Sequence, residues 1–125
     1  MKKIDNRKPI TGLDGTPHKI VEDVDGNIVR RDAYLDEMIR IFIFRLPMQG
    51  LTMRDAKLGQ RIIEAVSSQK NGRYEELEFE DEDYGWLTGK FEELGPQVFG
   101  ISAIKIKEAL QPLEGNRADR RRKSR

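Results

Sequence analysis

Cysteine is absent from the 125 residues, which excludes disulfides, thiol catalysis and Cys-ligated zinc. Histidine occurs once, at His18. Its place in a turn-rich N-terminal stretch argues against His-pair zinc sites and Ser-His-Asp catalysis. No apolar run approaches the roughly 18 residues that span a bilayer, and MKKIDNRKPI at the start has no apolar core of a signal peptide. No Gly-rich phosphate loop is present either, because none of the scattered glycines stands between a strand and a helix with a Lys-Ser/Thr partner. The expectation is a soluble, cytoplasmic protein. Enzyme is its least supported class, and no cofactor is expected.

Charge of one sign is also lacking overall. Charged residues make up 36% of the chain, yet they nearly cancel to +1. Their distribution is uneven: residues 117–125 hold six bases against Asp119, a local +5, which leaves about −4 on residues 1–116. An acidic body with a basic end follows. With 37% hydrophobic residues the length suits one core. The reading is therefore an N-terminal arm over 1–17, one helical domain with a hairpin at its start over 18–113, and a disordered basic tail over 114–125.

The arm mixes bases with Pro9, Gly12, Gly15 and Pro17, too much punctuation for a long element. LDGTP at 13–17 has tight-turn chemistry, since Gly accepts positive φ and Asp bonds the backbone ahead. Two short β-branched segments around Asp25-Gly26 then predict a hairpin. In DAYLDEMIRIFIFRLP, the residues Leu35, Met38, Ile39, Phe42, Ile43 and Leu46 share one helical face. Asp32 is the expected cap and Pro47 the expected stop. Residues 39–46 also suit a buried strand, being β-branched and aromatic. On the helical reading Ile41 and Phe44 lie off the main stripe, so the helix is either central or offers a second apolar face to another molecule.

Thr52 and Asp55 form an acidic capping box that starts the next helix. Ala56, Gly59, Ile62, Ile63 and Val66 are its expected stripe. Gly59, which costs roughly 1 kcal/mol relative to alanine in a helix, points to a close helix crossing. KNGR at 70–73 reads as a loop. Seven of the nine residues over 75–83 are carboxylates, and Tyr84, Leu87, Phe91 and Leu94 then recur at spacings of three or four. That predicts an acid-capped helix with Phe79 stapled to its first turn. Gly95-Pro96 reads as a corner into a last helix carrying Phe99, Ala103, Ile106 and Leu110, ended by Pro112 and Gly115.

The acidic run is the first candidate site. Its spacing does not fit a calcium loop, nor does DVDGN at 23–27. A solvated helix N-terminus is the plain explanation, recognition by a basic partner the functional one, and a metal held by Glu80, Asp81 and Asp83 the remaining one. Trp86, one position off the stripe, is either half-buried packing or an exposed anchor. In the tail, Arg117, Arg120, Arg121, Arg122, Lys123 and Arg125 can neutralise phosphates. No aromatic is interleaved with them for base stacking, so solubilising or partner-binding roles compete with nucleic-acid contact.

The order LDGTP, DAYLDEMIRI, LTMRDAKLGQRIIEAV, LEFEDEDYGWLTGKF and GPQVFGISAIKIKEAL, covering about residues 10–111, resembles a group of small, mostly uncharacterised proteins of tailed bacteriophages and prophages. The resemblance implies a virion-assembly or host-interaction role and brings no catalytic residues with it. The reading is thus a mainly α, minor α+β single-domain bundle of a hairpin and about four helices. Its expected role is a non-enzymatic assembly chaperone, adaptor or host-factor binder, active in the host cytoplasm. The expected protein-binding residues are Ile41, Phe44, Glu80, Asp81, Asp83 and Trp86, with a phage or host protein, or a second copy, as partner. A nucleic-acid regulator acting through the tail is the alternative.

Overall fold

The computed structural model describes residues 2–47, 50–67 and 75–113. In chain order they form β1 (Lys2–Asp5), β2 (Lys19–Val24), β3 (Asn27–Asp32), α1 (Leu35–Phe44), α2 (Met53–Ser67), β4 (Glu76–Phe79), α3 (Asp81–Phe99), a 3₁₀ turn (Gly100–Ser102) and α4 (Ala103–Ala109). Three longer helices and one short one carry the core. Two two-stranded antiparallel sheets, β1–β4 and β2–β3, flank it, so the architecture is α+β rather than mainly α.

The expected hairpin forms. Asp25 and Gly26 have φ of 51° and 84°, the pair of positive values that a two-residue turn between right-twisted strands requires. Asp23 accepts a hydrogen bond from the Gly26 amide at 3.0 Å. Opposite residues in the register, such as Ile20 with Arg31 and Glu22 with Val29, share a face. The upstream LDGTP turn also closes as its chemistry implies, with the Thr16 amide donating to Asp14 at 3.0 Å.

Residues 2–5, expected in an arm, instead supply β1. Ile4 lies fully buried opposite Leu77 of β4. Behind β1, Asn6 reaches the start of α1. Its carboxamide donates to Asp36 at 3.1 Å and accepts from the Asp36 amide at 3.2 Å, satisfying one of the exposed amides of a helix start. The N-cap is Tyr34, not Asp32. Asp32 sits in β3 and pairs with Lys19. Glu37 closes the other half of the cap by accepting from the Tyr34 amide at 3.1 Å.

Residues 39–46 resolve as helix up to Phe44, with Arg45 as C-cap. The capping box of α2 forms in both directions, Thr52 amide to Asp55 at 2.9 Å and Asp55 amide to Thr52 at 3.1 Å. Its buried face comprises Leu58, Gly59, Ile62 and Val66; Ala56 is exposed. A methyl on Gly59 would meet Ile43 at 3.4 Å and Trp86 at 3.6 Å, which locates the expected crossing between α1, α2 and α3.

The acidic run divides in two. Glu76–Phe79 is strand, with Leu77 and Phe79 inward and the glutamates outward, and only then does α3 begin. Alternation of burial at period two decides this half. At its far end α3 runs through Gly95-Pro96 to Phe99 instead of turning a corner. A residue before proline normally avoids helical geometry because its Cβ meets the ring, and Gly95 has none. Any Cβ there would also lie 2.9 Å from the Phe91 ring. That ring sits 4.9 Å from Phe42 and 6.0 Å from Phe99, centroid to centroid, at the centre of the core. The true stop is Gly100, at φ 61°. The last helix is correspondingly short.

Candidate interaction surface

Exposed apolar side chains occur at several places, among them Met53, Ile101 and Ile104, and one group lies where the ribbon meets α1. The β2–β3 ribbon leaves Val21 and Ile28 61% and 75% exposed, and Val24 and Val29 are exposed as well. Beside it, the residues Glu37, Arg40, Ile41, Phe44 and Arg45 recur at helical spacing along one flank of α1, from the buried Glu37 through the half-buried Ile41 to the exposed Phe44 and Arg45. With Ile20 of β2 they line an open groove of about 370 Å³. Phe44 is 73% exposed while Phe42, two residues earlier, is fully buried. The off-stripe positions Ile41 and Phe44 thus line the same groove.

Arg31 holds the ribbon against α1. Its guanidinium donates to Glu22 at 2.9 Å from Nε and pairs with the buried carboxylate of Glu37. Hydrogen bonds to Glu37 and then Glu22 push the guanidinium up, and the bond from Arg31 holds the Glu22 carboxyl below its ordinary value. The acids beside the groove are therefore already neutralised. Its bases are not equally matched: Arg40 stands 4.0 Å from Asp36, and Arg45 makes no ion pair among the described residues. The result is an aliphatic and aromatic groove with a cationic rim.

The acidic residues expected to bind a partner lie apart from this groove and differ among themselves. Glu80 is the exposed N-cap of α3 and Asp81 its exposed first residue. Asp83 is 6% exposed, bonded by Arg61 through Nε at 3.3 Å and again through Nη2. Its charge is consumed within the fold, so it is corrected from binding residue to structural pair. Trp86 is half-buried and donates from its indole to Asp55 at 2.8 Å, which is packing and not an open anchor. The Thr52 amide first, and Trp86 second, hold the Asp55 carboxyl below its usual range.

Among the described residues no group of three or more His, Asp or Glu side chains is placed to hold a metal ion. The triad of Glu80, Asp81 and Asp83 is therefore not assembled. No described helix is long and apolar enough to cross a membrane. The basic positions from Arg117 to Arg125, like the 70–73 loop, lie outside the described residues. Sequence reasoning missed Ile20 and the Arg31–Glu37 link. The register of a hairpin fixes which residues share a face, but not which face meets a helix. No protein-family model, curated protein or solved structure matches this chain.

Proposed function

We propose that the chain is a non-enzymatic protein-interaction module, an assembly adaptor or host-factor binder of phage origin working in the host cytoplasm. The observation that supports this reading is the exposed Phe44 beside Ile41 and Ile20. An exposed aromatic ring beside half-buried aliphatic side chains, on a surface assembled from a helix and a ribbon, is what a protein partner buries. The phage assignment rests on the resemblance in motif order alone.

Placing a photo-crosslinking phenylalanine analogue at position 44 in expressing, phage-infected cells tests the reading. A discrete protein adduct is expected from position 44, and none from the exposed Glu93 on α3. No adduct at 44, or the same adducts from both positions, refutes it. The local +5 of residues 117–125 favours a second reading, a nucleic-acid regulator. A truncation after Gly115 separates the two: unchanged DNA and RNA affinity eliminates the regulator, whereas loss of a steeply salt-dependent affinity supports it.

A further inference from the structure

We infer that the groove between β2 and α1 takes a short acidic–apolar protein segment: one or two apolar side chains seated on Ile20, Ile41 and Phe44, with carboxylates meeting Arg40 and Arg45. This deepens the interaction reading above and rests on it. The apolar half follows from the lining, since three of the six residues around the groove are aliphatic or aromatic. The acidic half follows from charge. Arg31 engages Glu37 and Glu22, while Arg45 has no ionic partner among the described residues and Arg40 only a distant one. A cationic rim around an apolar floor favours the opposite sign in whatever covers it.

A second copy fits less well in either arrangement. In a two-fold dimer the groove would face itself, bringing two cationic rims into one interface with no lining acid to offset them beyond Glu37, which Arg31 already engages. In a head-to-tail pairing the densest acidic surface, the strip of β4 and the start of α3, is the natural complement to the rim. That strip has no apolar side chain to offer, because Leu77 and Phe79 are both turned inward at 1% exposure. Single-stranded nucleic acid would stack on Phe44 alone, since Ile20 and Ile41 provide no second ring for successive bases.

The test pans a displayed library of random peptides against the full chain, with Phe44→Asp as counter-selection. Recovered peptides are then titrated as fluorescent synthetic probes. Enrichment of sequences pairing Leu, Ile or Phe with Asp or Glu is expected. Arg45→Glu should weaken them about tenfold, and exchanging the probe's acids for lysines should restore binding to that variant. Enrichment of neutral or basic peptides overturns the inference and leaves the interaction reading standing. No groove-dependent peptide at all removes both. Two further results overturn it in favour of another occupant: a concentration-dependent dimer abolished by Phe44→Asp, or oligothymidine binding abolished by the same change.

Discussion

Phe42 and Phe44 stand two residues apart on α1 and belong to different parts of the molecule. Phe42 closes the aromatic cluster with Phe91 and Phe99 and has no contact with water. Phe44 projects into solvent beside the ribbon. On the first side, apolar residues, buried acids and caps all have partners whose loss would cost stability. On the second, Phe44 has no such role, whereas Ile41 beside it is half-buried and packs partly on the core. A two-stranded ribbon is marginal on its own, and this one is tied to the body chiefly through Ile20 and Arg31. An exposed apolar side chain that folding does not use is the one to test for binding.

The largest expected effect is on the buried side. Phe42→Ala should lower unfolding free energy by about 3–5 kcal/mol, whereas Phe44→Ala should stay within about 0.5 kcal/mol; urea unfolding of both variants measures the contrast. Equal losses would erase the distinction between the two faces.

Arg31→Ala should cost roughly 1–2 kcal/mol. It leaves the buried Glu37 carboxylate without its cation, a penalty reduced here because the Arg31 side chain is one-third exposed and water can enter. Hydrogen exchange should speed up in β2 and β3 well before it does in α3. Uniform acceleration would show that the ribbon and the body unfold as one unit.

Gly85 and Gly89 are exposed within α3, and a methyl at either meets nothing within 4 Å. Gly85→Ala and Gly89→Ala should each raise stability by about 0.5–1 kcal/mol, seen as a higher thermal midpoint. Destabilisation would mean that α3 is not continuous there.

The acid limb of stability should include Asp55. Its folded carboxyl is held below the ordinary 3.8, so its contribution is complete above pH about 4 and is lost as pH falls through the folded value. Asp55→Asn should flatten that part of the stability-against-pH curve. An unchanged curve would remove Asp55 from the network with Thr52 and Trp86.

What could be read from the residues was whatever has a local cause. The Asp25-Gly26 turn, the Thr52–Asp55 box, the inner stripe of α1 and the close approach at Gly59 all depend on neighbours within a few positions or on helical period. The errors share a different origin. β1 and β4 pair across more than seventy residues, and four-residue strands leave too little period to distinguish Glu76–Phe79 from a helix start. The cap from Asn6 comes thirty residues before the amide it serves. Gly95-Pro96 has the grammar of a stop, but glycine also relieves the clash that makes proline a stop, and the Phe91 ring fills the space it leaves. That Ile41 and Phe44 lie off the inner stripe was legible, because the position shows in the helical periodicity. The partners of Asp83 and Trp86, Arg61 and Asp55, were not legible because they stand 22 and 31 residues away.

The most direct test makes Phe44→Asp and measures urea unfolding and peptide binding on the same preparation. Unfolding within about 0.5 kcal/mol of the parent, together with loss of the acidic–apolar probe, is the expected result. Unfolding as severe as that of Phe42→Ala, or a stable variant that binds the probe as before, would contradict the assignment of this face to a partner.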